Sequence, residues 1–228
     1  MSVSATPTAR AFMDDLAALR LADRQGDEPY AGIGMGQIFK LAKEFRAMSP
    51  AEIEQLLESD DHPVEVGAVS IMDWQARDRK TTDERRRELF DLYIRRHDRI
   101  ATWDLVDRSA IHVVGEYLVD KPRDVLHRLA RSAEPMERRT AILSTYAFIR
   151  RNELDDTYRI AETLADDADD LVAKSVGWML REAGKRDRAR LETFLDAHGA
   201  TMPRVMLRYA IEKFDKADRD RYLAMKSR

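Results

Sequence analysis

Two short segments set an aromatic ring beside charged groups at helical spacing. In the first, Thr102 can cap a helix whose opening turns carry Trp103 and Asp107, four residues apart and therefore on one face. An exposed aromatic plane would then lie beside a carboxylate, a group that can orient or deprotonate water. The alternative is that Trp103 anchors the core and that Asp104 and Asp107 only complement the helix dipole.

The second segment carries Trp178 and Arg181, which are three residues apart and share one face of a helix. On that face an aromatic plane and a guanidinium group can line one groove. A buried tryptophan with an outlying salt bridge is the commoner arrangement for a single helix of this kind. The spacing alone leaves both interpretations open.

Helical periodicity runs along almost the whole chain and predicts an all-α protein, because apolar residues recur at helical rather than strand spacing. Ser49 precedes Pro50, and Thr82 precedes an acidic first turn, as in capped helices. Gly184 and Gly199 fall where helices should end. The predicted helices cover residues 6–22, 35–46, 50–58, 63–78, 83–97, 103–118, 122–131, 136–151, 156–166, 171–183, 187–197 and 203–214.

The predicted helices alternate between charged and apolar members. Apolar stretches such as 66–72, 110–115 and 175–180 recur at separations of roughly 30–40 residues, the period of two-helix solenoid repeats. A stack of about six antiparallel pairs would form a concave surface that can hold a macromolecule, but the period names no chemistry. Small residues should let neighbouring helices approach closely: Gly67, Gly115 and Gly177.

Charge is distributed unevenly along the chain, although the net charge is only −3. Residues 1–72 carry 6 basic against 12 acidic side chains, whereas residues 121–151 carry 8 against 3 and residues 174–190 carry 6 against 2. A phosphate backbone attracts a local basic surface whatever the total charge. The alternative for any one block is a solvated helix face.

Several classes of protein are not indicated. The chain has no cysteine, and its five histidines lack the spacing of metal ligands, so we expect neither a metal nor another cofactor. No stretch approaches the roughly 20 apolar residues that span a bilayer, and the first ten residues do not resemble a secretory signal. We therefore expect a cytoplasmic protein without membrane contact. His112, on an apolar helix, should be a satisfied core or groove residue.

Three segments in order resemble the AlkD-like DNA alkylation repair glycosylase family of HEAT-like repeat proteins. Residues 103–107 match its W-D-x-V-D segment, residues 138–143 its R-x-A-I-L segment, and residues 177–182 its G-W-x-L-R-E segment. The resemblance runs from about residue 62 to residue 214 and is weak before that. It implies one HEAT-like-repeat DNA alkylation repair domain over residues 1–228.

The resemblance also implies site residues. The catalytic groups of the family fall on Trp103, Asp107 and Trp178. Arginines that contact DNA fall on Arg139 and Arg181, and we expect neighbouring arginines to join them: Arg138 and Arg208. The implied partner is double-stranded DNA with alkylated bases, so we expect a monomer located at the nucleoid.

The implied reaction is hydrolysis of the glycosidic bond of a purine alkylated at N3 or N7. Such a base is cationic and already a good leaving group, so catalysis consists of stabilising an oxocarbenium-like sugar and placing a water molecule. Asp107 can do both, and the faces of Trp103 and Trp178 can pack on the deoxyribose. No lysine accompanies this set, which favours a monofunctional enzyme without lyase chemistry.

The N-terminal third departs from the family pattern. Tyr30 stands where an aromatic residue is expected, but its neighbours Asp27 and Glu28 are acidic and unsuited to phosphate. Two other functions remain open. One is a non-catalytic paralogue that recognises DNA shape, and the other is a helical-repeat scaffold that binds protein.

Overall fold

The computed structural model describes residues 7–22 and 32–225, and within these ranges the secondary structure is helical, with no strand. Tyr30 lies outside the described residues. Contacts between residues group the chain into two compact units, 1–117 and 118–228. One continuous domain over the whole chain stays a prediction.

The described residues of the first unit form six α-helices. They are α1 (Ala9–Ala22), α2 (Met35–Glu44), α3 (Pro50–Leu57), α4 (His62–Arg77), α5 (Asp83–Arg95) and α6 (Trp103–Ser109), the last continuing as a π-helical segment, Ala110–Gly115. Two of the predicted caps are present: the Ser49 hydroxyl accepts a hydrogen bond from the Glu52 amide, and the Thr82 hydroxyl accepts one from the Arg85 amide.

Helix α4 is the centre of the first unit. Almost every residue from Pro63 to Ala76 is buried, because α2, α3 and α6 pack around it. The absence of a side chain at Gly67 allows the ring of Phe12, on α1, to lie where a Cβ atom would stand. The close approach expected at Gly67 is therefore confirmed.

The second unit contains eight α-helices among its described residues. They are α7 (Asp124–Leu129), α8 (Pro135–Ser144), α9 (Tyr146–Ile149), α10 (Asp155–Thr163), α11 (Asp170–Gly184), α12 (Arg188–His198), α13 (Arg204–Ala210) and α14 (Lys216–Leu223). Helix α11 is the central element, with α8 and α13 against its sides. A Cβ atom at Gly177 would overlap the backbone carbonyl of Met206 and lie 2.6 Å from the Cβ atom of Tyr209.

Three helix predictions need correction. The single helix predicted over 136–151 is divided, because the chain tightens at Thr145, whose amide and hydroxyl both bond to the carbonyl of Ile142. The helix predicted over 103–118 changes to π geometry, and the Glu116 amide bonds to the carbonyl of Ile111, five residues back. Helix α14 was not predicted, because its surface is charged and only Tyr222 is buried.

No helix in the described part of the chain is both long enough and apolar enough to cross a lipid bilayer. Gly115 is buried at the end of the π segment, and its role in close helix packing stays a prediction.

The contact at Gly177 gives a test of the packing in the second unit. Gly177→Ala should lower the free energy of unfolding by about 1–3 kcal/mol, because the new methyl group meets backbone atoms that cannot move aside. Gly36→Ala is the matched control, since nothing lies within 4 Å of that position. There the better helix propensity of alanine should add up to about 1 kcal/mol. Urea unfolding measures both, and equal or greater stability of Gly177→Ala would contradict the packing.

Candidate functional site

Trp103 lies on the surface at the first residue of α6. Its side chain is 49% exposed, so the interpretation of this residue as a core anchor is wrong. Asp107 follows one helical turn later and is half-buried. The structure therefore places an accessible indole and a carboxylate on the same face of one short helix.

The start of α6 is fixed by a second carboxylate, that of Asp104, which is only 8% exposed. The Thr102 hydroxyl donates to one Asp104 oxygen at 2.7 Å, and the Nε2 atom of His62 lies 2.8 Å from the other. Thr102 thus binds a side chain instead of capping the helix backbone as predicted. Because His62 begins α4, this network joins the first turn of α6, including Trp103, to the first turn of α4.

His62 contacts two carboxylates at once. Its Nδ1 atom is 3.1 Å from Glu65, and its Nε2 atom is bound to Asp104. Partial burial opposes a charge on the ring, but the hydrogen bonds to Asp104 and Glu65 outweigh it and raise the pKa of His62 above its ordinary value. The charged imidazolium is the form that this site stabilises.

Another carboxylate, Asp73 of α4, is completely buried and binds the later turns of α6 and its π segment. Its oxygens lie 3.1 Å from Nη2 of Arg108, 2.7 Å from Nδ1 of His112 and 3.4 Å from Nη1 of Arg77. Arg108 also donates to the hydroxyl of Ser70 at 3.2 Å. The expectation that His112 is a satisfied residue is confirmed. Burial lowers the pKa of Arg108, and the charge of Asp73 opposes that shift.

The second unit presents an aromatic and basic face on α11. Lys174, Trp178 and Arg181 follow at spacings of four and three residues and so share one side of the helix. Trp178 is half-buried, and Tyr209 of α13, which packs against Gly177, is 39% exposed. The sequence pattern does not indicate this exposure, because Tyr209 stands in the largely apolar stretch 205–210.

Arg138 and Arg139 are occupied by protein contacts in this structure. Arg139 is 6% exposed, and its guanidinium group donates to the carbonyl of Leu171 and to the hydroxyl of Ser175, so it joins α8 to α11. Arg138 binds both carboxylate oxygens of Asp167, at 2.6 and 3.1 Å. The DNA contacts expected of these two arginines stay predictions.

The other two predicted arginines differ in exposure. Arg208 is exposed and has no ion-pair partner in the described part of the second unit. Arg181 pairs with Glu212 at the surface and lies 3.6 Å from Glu182. Arg208 is therefore open to solvent, whereas the Arg181 side chain is only 16% exposed and its surface partner is Glu212.

The family model described as DNA alkylation repair enzyme matches residues 4–214 of the chain. This match contains all seven predicted site residues and extends the resemblance through the N-terminal third. The comparison with curated proteins gives no match to the chain.

The His62 network predicts a pH dependence of stability. Because the folded-state pKa is raised, the network stabilises the fold fully below the unfolded pKa of about 6.5, and this contribution is lost as the pH rises through the folded pKa. His62→Gln should therefore destabilise the protein more at about pH 5.5 than at about pH 8.5. Urea unfolding at both pH values measures this difference. In an Asp104→Asn background the difference should be smaller, because one of the two carboxylates that bind His62 has lost its charge. A His62→Gln penalty that is constant with pH would refute this assignment.

Proposed function

The chain belongs to the DNA alkylation repair enzyme family, and from this premise we propose that it is a DNA glycosylase. It hydrolyses the N-glycosidic bond of cationic N3- or N7-alkylated purines in duplex DNA, as a monofunctional enzyme of base excision repair. The observation that carries the proposal is the exposed Trp103 one helical turn before Asp107, within the matched family region.

The substrate determines what the residues must supply. An alkyl group at N3 or N7 leaves a positive charge on the purine, so the base departs with the bonding electrons and becomes neutral. Positive charge then develops on the deoxyribose, and an anion nearby stabilises it. We assign that role to the carboxylate of Asp107.

Water completes the reaction. Its oxygen forms the new bond to the anomeric carbon of the sugar as the glycosidic bond breaks, and its proton passes to Asp107 and then to solvent. No cofactor enters this balance. A half-buried carboxylate suits the role, because it is shielded from bulk water yet still reached by the substrate.

The tryptophans and arginines hold the substrate in this proposal. The indole of Trp103, one helical turn before Asp107, packs on the deoxyribose and attracts its developing charge, and the indole of Trp178 offers an aromatic face to a DNA sugar from the second unit. Arg208 and Arg181 bind flanking phosphates, which adds salt-dependent affinity without sequence preference. For Arg138 and Arg139, which already bind protein oxygens, we propose that they position α8 against α11 and add positive field at the DNA surface.

Base release tests the role of Asp107. The substrate is duplex DNA carrying N7-methylguanine or N3-methyladenine, and the rate is measured with DNA saturated by protein. Asp107→Asn should lower the rate by roughly 100- to 1000-fold while DNA binding persists, because an electrostatic group is lost at the reacting sugar. The control is Asp91→Asn, an exposed aspartate on α5. A rate for Asp107→Asn that equals the control would exclude the catalytic role.

Two substitutions test whether an aromatic ring is needed at Trp178. Trp178→Ala should reduce base release by roughly tenfold or more, while Trp178→Phe should keep part of the rate, because its smaller ring still offers a face to the sugar. Single-turnover rates on the same lesion measure both variants. Equal losses in the two variants would argue against a role for an aromatic face at Trp178. DNA binding without base release by the parent protein would favour the shape-recognition alternative.

A further inference from the structure

Three cations surround one indole on the face formed by α2, α4 and α6. The ring centroid of Trp74 lies 5.0 Å from the Lys43 ammonium, 5.2 Å from the Arg77 guanidinium and 5.6 Å from the Arg108 guanidinium. Arg108 also lies 4.3 Å above the ring of Phe39. We refer to Lys43, Arg77 and Arg108, with these two rings, as the Trp74 cluster.

The indole is itself fixed in place. Its Nε1–H group donates to the carbonyl of Phe39 at 3.2 Å, which joins α4 to α2. Cations above an aromatic face are held without being neutralised, because the ring attracts them through its quadrupole and carries no net charge. The cluster therefore holds three positive charges close together and restricts their motion before any ligand binds.

The cluster has an excess of positive charge. Its ion-pair contacts in the described part of the first unit all go to Asp73, which binds Arg108 at 3.1 Å and Arg77 at 3.4 Å. Lys43 is exposed and has no carboxylate partner among the described residues, and the Arg77 side chain is 44% exposed. One buried carboxylate balances one of the three cations, so two positive charges remain. They are carried mainly by the solvent-exposed groups, Lys43 and Arg77.

We propose that the Trp74 cluster binds a phosphodiester of duplex DNA, as a site additional to the arginines of the second unit. The inference rests on the proposed function for its choice of ligand. Lys43 and Arg77 are the contact groups, and Arg108 is held back by Asp73 and Ser70 as a buried source of positive field. Since Arg108 directly follows Asp107 on α6, the bound backbone lies beside the helix that carries the candidate catalytic carboxylate.

The test measures affinity for undamaged duplex DNA across a salt series, by fluorescence anisotropy. Each phosphate contact makes the slope of log affinity against log salt steeper by about 0.9. For each contact, a fourfold rise in salt therefore lowers the affinity by about threefold. Lys43→Gln and Arg77→Gln should each weaken binding several-fold at low salt and reduce the slope by about 1. Lys43→Arg should keep the parental slope. Arg87→Gln is the matched control, because that side chain is 73% exposed on α5.

The outcomes separate this inference from the proposed function. Slopes and affinities of Lys43→Gln and Arg77→Gln equal to those of Arg87→Gln would overturn the phosphate site, and so would a parent protein with no duplex affinity at low salt. If the two variants have reduced slopes but the parent protein releases no alkylated base, the phosphate site is supported and the glycosylase proposal fails. A poly-glutamate probe gives a further arm. Loss of poly-glutamate binding in both variants, with DNA binding intact, would assign the cluster to an acidic protein and overturn the proposal.

Discussion

A buried carboxylate must be paired with cations or hydrogen-bond donors. The partners of the Asp73 carboxylate therefore determine the position of α6. The Asp73 oxygens are closed off from water and bind Arg108 and His112 on α6 and its π segment. An unpaired charge at that depth would cost several kcal/mol, so α6 cannot rotate about its axis without breaking these bonds. The same constraint sets the direction of Trp103 and Asp107, which occupy other positions on the same helix. A second anchor, the contact of Asp104 with His62, holds the first turn.

The second unit also contains a buried charge that must be paired, but this charge is positive. There the buried charge is the guanidinium group of Arg139, which binds a carbonyl and a hydroxyl on α11. On the other side of α11, Gly177 leaves no room for a side chain and brings the backbone of α13 into contact. Helix α11 is thus held from both sides, and Trp178 stands next to the tighter of the two contacts. In each unit, a buried group that must be satisfied fixes the helix that carries a candidate site residue.

Local signals along the sequence were enough for most helices but not for the partners of their side chains. Caps such as Ser49 lie within three residues of their targets and could be predicted, whereas α14 could not, because one buried residue makes no periodic pattern. The exposure of Trp103 stayed undecided, since it depends on which face of α6 meets α4. The pairing of His62 with Asp104 spans 42 residues and follows from packing alone. Lys43 lies in a stretch with twice as many acidic as basic residues, so block counts of charge could not indicate the cluster it joins.

In the proposed function, α6 interacts with both the sugar and the phosphates of DNA, because its adjacent residues Asp107 and Arg108 carry opposite charges. Consecutive residues of an α-helix point about 100° apart, so Asp107 and Arg108 face different neighbours. Arg108 turns towards α4, where Asp73 and the ring of Trp74 hold it, while Asp107 shares the face of Trp103. The anion is then available to a developing sugar cation, and the cation adds to a field that attracts the backbone phosphates. Exchanging the order of these two residues would direct the carboxylate towards Asp73, a repulsion that the buried site could not relieve.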